Sequence, residues 1–202
     1  MPIFREILIK KQSKLIIWKI LEDEEWFKSN LGNQDKFSRL EEFKNKRHRL
    51  QYLCAQTLLD SQGLAGRIVK SDRGKPFVKD SENLFVSISH DSDFVVLMLS
   101  DTLCGVDIQT ITQKVMRIKN KFTYELDCFS KSANDKELTT LWSLKEAVYK
   151  VNGIPEIFFK EHMRISQTNK NSFKSEILKE GYEQNLRLET YEFDQKILAF
   201  TL

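Results

Sequence analysis

The apolar residues of this chain change period four times along its length, and that order constrains the fold more than any one residue does. Two stretches rich in β-branched and aromatic side chains come first, Ile3 to Ile9 and Lys14 to Ile20, and such text reads as strands. Residues 22–31 follow as a short helix with acids in its first turn. Residues 34–63 read as one longer helix, with Phe43, Leu50, Leu53 and Leu58 near helical spacing and Gly63 as its stop. Residues 71–78 carry a Gly-Lys-Pro turn signal. Strands are expected again at 84–90, 94–100 and 104–109; in the first of these Leu84, Val86 and Ile88 share one face. Helical text runs from Thr112 to Val151, broken near 130–134, and strands close the chain at 162–167, 172–180 and 185–193, with a possible fourth at 196–202. Strands, helices, strands, helices, strands predict an α+β fold of two units in series, 1–101 and 102–202, meeting near Ser100 to Gly105.

A chain of 202 residues can bury a core in each unit. Lys and Arg number 32 against 29 acids, for a net charge of +3. That excess suits anionic ligands but lacks the concentrated basic face that nucleic acid needs. The three cysteines, Cys54, Cys104 and Cys128, are far apart in sequence and give neither a disulfide framework nor zinc-ligand spacing. No apolar run approaches the roughly 20 residues of a membrane helix, and charges interrupt the N-terminus too early for a signal peptide. A reducing cytoplasm is expected.

The stretch Leu138 to Lys150, "LTTLWSLKEAVYK", is the most informative helix. At ~100° per residue, Leu138, Leu141, Leu144, Val148 and Val151 form the core stripe, with Lys145 at its edge. Tyr149, Trp142, Glu146 and Lys150 follow beside it. Glu146 and Lys150 could be an ordinary i,i+4 ion pair. The sharper reading is a metal-bound phosphate, with the carboxylate on the cation and ammonium groups on the phosphate oxygens. Spacing alone does not choose between these. A second block, "CGVDIQ", sets Asp107 and Gln109 on the face of a strand opposite Val106 and Ile108. Alone, Asp107 reads as a solvent-facing residue of an edge strand, and His90, at the end of "SISH", as a surface histidine.

Four blocks stand in order: "GKP" at 74–76, "SISH" at 87–90, "GVDI" at 105–108 and "WSLKEAVYK" at 142–150. In that order and spacing the chain resembles the 4′-phosphopantetheinyl transferase family, of the longer, surfactin-synthetase-activating type. The resemblance covers roughly residues 36–150, and its last block is the most specific. It implies two similar α+β halves in pseudo-twofold arrangement with the active site at their interface. It also implies transfer of 4′-phosphopantetheine from coenzyme A to a serine of an apo acyl or peptidyl carrier protein, with release of adenosine 3′,5′-bisphosphate.

Residue by residue, the resemblance makes Asp107 and Glu146 the Mg²⁺ ligands, Glu146 also the base for the incoming serine, and Lys150 the contact to the pyrophosphate. Lys145 is implied as a further phosphate contact. His90 and Ser89 are implied at a phosphate, Lys75 and Pro76 around the adenine, and Lys36, Arg39 and Arg49 at the 3′-phosphate. The early helix lacks an Arg that many members carry near Gln56 or Thr57, and two further positions depart from the pattern: Gln109 stands where the family often has Glu, and Asp91 where it often has Ser. They motivate the alternative, a non-catalytic homologue that binds coenzyme A or a carrier protein. The chain carries no phosphate-binding loop of the G-x-x-x-x-G-K-[ST] kind, no G-x-G-x-x-G and no G-x-S-x-G elbow. The basic and apolar stretch Thr112 to Phe122 is expected either as a solvated amphipathic helix or as the docking surface of an acidic carrier. A monomer, with no nucleic-acid or membrane partner, is expected.

Overall fold

A computed structural model of the chain describes residues 3–10, 12–31, 34–71, 74–152 and 156–202, apart from the side chains of 34–36, 38 and 152. It divides into two compact units, residues 1–71 with 76–102, and residues 103–202 with 72–75. Each is a mixed α+β structure.

The first unit opens with the hairpin β1 (Ile3–Lys10) and β2 (Ser13–Lys19), then helix α1 (Glu24–Asn30), a 3₁₀ stretch (Gln34–Glu42) and helix α2 (Lys46–Ser61). The short hairpin β3 (Ile68–Lys70) and β4 (Pro76–Val78) precedes β5 (Phe85–Asp91) and β6 (Phe94–Ser100). The main sheet has the order β1-β2-β6-β5, all neighbours antiparallel. Alternation does the packing: Ile16 and Trp18 of β2, Val95 and Leu97 of β6, and Val86 of β5 bury with Phe27, Leu53 and Leu58 of the helices. Leu84 and Ile88 pack on that cluster, the face expected of them.

Residues 34–63 do not form one helix. Asn45 leaves the helical region and its side chain accepts from Arg47 N, so it caps a new helix instead of continuing the old one. Gly63, at φ +70°, ends α2 as expected, because only a residue without Cβ takes that conformation cheaply. The Gly-Lys-Pro block, read as a turn, runs on into β4, which pairs with β3.

The second unit contains β7 (Val106–Thr110), α3 (Lys114–Phe122), α4 (Asp135–Asn152), the single turn α5 (Phe159–His162), and β8 (Met163–Asn169), β9 (Ser172–Lys179), β10 (Tyr182–Phe193) and β11 (Lys196–Thr201). The break between its helices spans 123–134, wider than periodicity suggests, and the short α5 gives no periodic signal. The sheet order is β7-β11-β10-β9-β8. Leu138, Leu141, Leu144 and Val148 of α4 bury against Met163, Ile165, Phe173, Ile177, Leu188 and Ala199 of the strands. In each unit the strand before the helices pairs with the unit's last strand, and that strand pairs with the one before it: β2-β6-β5 in the first, β7-β11-β10 in the second.

No helix among the described residues is long and apolar enough to cross a membrane. Burial pushes the thiols of Cys104 and Cys128 up to about 12, so neither is a thiolate near neutral pH.

Candidate active site

Gly105 sets the distance between α4 and the start of β7. A Cβ at that position would lie 2.0 Å from the Ala147 carbonyl oxygen and 2.9 Å from Val151 Cγ2. The first obstacle is helix backbone, which cannot swing aside as a side chain can. Gly105 is also fixed from β11, donating to Thr201 Oγ1 and accepting from Thr201 N, each at 3.0 Å. The helix therefore lies directly on the strand, and its near side chains reach the residue at 107.

Asp107 is 2% exposed, although β7 is an edge strand. The solvent-facing reading fails because Asp107 pairs with Ala199 on the face that α4 covers. Its carboxylate is held from three directions. Lys150 Nζ donates to Oδ1 at 2.8 Å, Ser143 Oγ to Oδ2 at 3.1 Å, and Gln109 Nε2 to Oδ2 at 3.0 Å. Lys150 also donates to the Val106 carbonyl at 3.0 Å. A buried carboxylate needs both a counter-charge and hydrogen bonds, and this one has them. The ordinary pairing of Lys150 with Glu146 gives way to the pair with Asp107.

Glu146 is half-buried, and among the described residues nothing hydrogen-bonds its carboxylate. Burial first, and then the like charge of Asp107, push it up to about 7, against the pull of Lys150. One acid is satisfied and its neighbour is not, so the place lacks positive charge. The donors are hard oxygens, which suit Mg²⁺, an ion that takes one or two carboxylates and completes its shell with water and phosphate. The residues fit that ion: a cation would neutralise Glu146, and Asp107 is already oriented. Among the described residues no group of three or more His, Cys, Asp or Glu is arranged for a metal, so a cation here would have two protein acids.

α4 carries two parallel stripes at i, i+3 and i+7. Ser143, Glu146 and Lys150 face Asp107. Trp142, Lys145 and Tyr149 face the other flank, where Trp142 meets the rings of Phe122 at 5.2 Å and Phe159 at 5.4 Å, and Tyr149 meets Phe159 at 5.8 Å. Trp142 and Tyr149, expected beside Glu146 and Lys150, thus stand on the other flank with Lys145.

Lys145 belongs to the second stripe, and the expectation of a phosphate contact is corrected there. Its side chain is 0% exposed. Nζ donates to Asp127 Oδ2 at 2.6 Å and lies within hydrogen-bond distance of the carbonyls of Phe122 (2.8 Å), Phe159 (2.8 Å) and Met163 (3.1 Å). An ammonium with three hydrogens and four buried acceptors has none left for a ligand.

The other expected residues stand as follows. Lys75 packs with the second unit, where its ammonium donates to the Val151 carbonyl at the C-terminal end of α4, and burial lowers its pKa. Pro76 opens β4. On β5, Ser89 is buried and His90 exposed. Arg39 pairs with Glu42 at 3.4 Å and lies over the Tyr52 ring. Arg49 pairs with Glu24 at 3.0 Å and donates to the Phe43 carbonyl. A 3′-phosphate would have to displace those carboxylates. The side chain of Lys36 lies outside the described residues. In the stretch 112–122, Arg117 and Lys121 are exposed, but Lys119 donates to the Ser132 carbonyl at 2.6 Å and tethers the following loop.

Sequence reasoning missed Ser143 and Asp127. Ser143 had a signal, standing three residues before Glu146 and seven before Lys150 on one helical line. Asp127 had none, because its partner is 18 residues away.

Residues 103–201 match the model of the 4′-phosphopantetheinyl transferase superfamily. The chain is 32% identical over 89 residues to the 4′-phosphopantetheinyl transferase gsp of Aneurinibacillus migulanus, covering 42% of this chain and 37% of that protein. It is 34% identical over 86 residues to the 4′-phosphopantetheinyl transferase psf-1 of Bacillus pumilus, covering 40% of this chain and 36% of that protein. These matches span little more than a third of the length of either relative.

Proposed function

We propose that this chain, whose residues 103–201 match the 4′-phosphopantetheinyl transferase superfamily model, moves 4′-phosphopantetheine from coenzyme A to a serine of an apo acyl or peptidyl carrier protein. The observation that carries this reading is the pair of unlike acids: Asp107, fixed by Lys150, Ser143 and Gln109, and Glu146, raised to about 7 beside it.

Asp107 and Glu146 are the residues that would hold Mg²⁺, which when bound supplies neutralisation and orientation of the pyrophosphate. Glu146 takes the proton from the serine hydroxyl, directly or through water. The serine oxygen bonds to the phosphorus that bears the pantetheine. The bond from that phosphorus to the bridging oxygen breaks, and adenosine 3′,5′-bisphosphate leaves. Lys150 places a cation where the leaving phosphate gathers charge. Ser89, His90, Lys75, Pro76, Lys36, Arg39 and Arg49 are proposed around the nucleotide by sequence resemblance.

The carrier is an acidic protein, and α3 offers it a suitable surface. Exposed Lys114, Arg117 and Lys121 stand with exposed Met116, and Leu126 just beyond is 75% exposed. A cytoplasmic monomer completes the reading. Replacing Asp107 or Glu146 by Ala should abolish transfer while circular dichroism stays that of the parent. Turnover at the parent rate in both variants would remove this mechanism. The second reading, binding without chemistry, draws on Gln109, whose amide occupies Asp107 where many relatives would supply a third acid. Coenzyme A binding in calorimetry with no modified carrier would favour it.

A further inference from the structure

The geometry points to Lys145 as a positioning residue, whose buried ammonium fastens the chain on either side of α4 to the helix that presents Glu146. The inference rests on the transferase reading only for its catalytic consequence; the fastening itself stands on the contacts.

Four separate segments meet at this one ammonium. Phe122 ends α3, Asp127 belongs to the turn after it, Phe159 begins α5 and Met163 begins β8. Asp127 extends the knot: Oδ2 also accepts from Tyr124 N at 2.7 Å, and Oδ1 accepts from Ile165 N at 2.9 Å. Cys128 N then donates to the Ile165 carbonyl at 2.8 Å. The two side chains are each 0% exposed. The rings of Trp142, Phe122 and Phe159 close over the same place.

The segments tied here have little regular structure of their own. Residues 123–134 form no helix, and α5 is a single turn. Without the ammonium, the carbonyls of Phe122 and Phe159 would lose a buried donor and the Asp127 carboxylate its counter-charge, while the Met163 carbonyl keeps Arg164 Nη1 at 3.0 Å, so the segments would move outward to reach water. Lys145 is the residue before Glu146, on the opposite flank of the helix. Release of that flank lets α4 roll about the Gly105 contact and changes where Glu146 points. A misplacement of about 1 Å at a reacting group can cost on the order of a hundredfold in rate.

The test uses the full chain with Lys145→Met, which keeps the length of the side chain and removes its donors. Hydrogen exchange at the amides of Tyr124, Cys128 and Ile165 should accelerate, while amides of β5 and β6 in the first unit keep their protection. This arm needs no activity, so it survives failure of the transferase reading. In carrier modification, kcat should fall by about ten- to a hundredfold, with KM for coenzyme A within about twofold of the parent because no phosphate contact is lost. Asp127→Asn should show the same split. If Lys145→Met does not fold, the pair Lys145→Met with Asp127→Asn removes both buried charges and is read the same way. A raised KM for coenzyme A at parental kcat would overturn the inference in favour of a phosphate contact. Unchanged exchange at the three amides would overturn it outright, and so would accelerated exchange with kcat intact, which would make the knot structural only.

Discussion

Replacing Glu146 by Gln should stabilise the metal-free protein at alkaline pH while abolishing transfer. The folded protein holds this carboxyl near 7, against 4.5 when exposed, chiefly because burial disfavours the charge. A raised carboxyl pKa means that the folded state keeps its proton where the unfolded state has lost it. Folding stability therefore falls as pH climbs from 4.5 through 7 and is level above. A displacement of about 2.5 pH units corresponds to roughly 3 kcal/mol. Gln has the same shape and no charge to desolvate. In EDTA, the variant should exceed the parent by about 2–3 kcal/mol at pH 8 and match it near pH 4.5. For a chain of this length the gain at pH 8 is a rise in thermal midpoint of roughly 5–10 °C. Urea unfolding at both pH values is the assay. Mg²⁺ at pH 8 should then stabilise the parent and not the variant, since only the parent gains a ligand. A variant no more stable than the parent at pH 8, or a gain independent of pH, would refute the placement of this carboxyl beside Asp107 in a half-buried site.

Two further outcomes follow from the same geometry. Gly105→Ala puts a methyl group 2.0 Å from the Ala147 carbonyl, so α4 must lift from β7; a loss of about 2–3 kcal/mol in urea unfolding is expected, with activity falling further than stability explains. Reversing Arg117 and Lys121 together to Glu should raise KM for an acidic carrier about tenfold at low salt, and less at high salt, without moving KM for coenzyme A. Lys119 is left out because its reversal would break the bond to Ser132 and confound folding with docking.

Much of this was legible in the chain, for identifiable reasons. β-branched and aromatic runs marked the first strands, acids in the first turn marked α1, and a period near 3.6 marked α2 and α4, because burial on one face of a helix leaves its mark on every third or fourth residue. They missed the end of the 3₁₀ stretch, where a single capping side chain on Asn45 outweighs the apolar spacing. They missed α5, which is too short to carry a period. At the site, the four ordered blocks and the resemblance they carry, not charge or spacing alone, single out Asp107, Glu146 and Lys150. The resemblance also implies Lys145 at phosphate, and the carboxylate that accounts for it, Asp127, stands in a loop without pattern. Its place at the edge of the core stripe was the better guide. The glycine of "GVDI" gave no local reason for itself; the backbone of α4 against it supplies one.

The most direct measurement is the intact mass of an apo acyl carrier protein after incubation with this chain, coenzyme A and Mg²⁺, beside a sample in EDTA. The account predicts a gain of one phosphopantetheine group that is absent in EDTA and absent with Glu146→Ala. No gain on several unrelated carriers, with the protein folded and coenzyme A bound, would contradict it and leave Asp107 and Glu146 as parts of a site that binds without transferring.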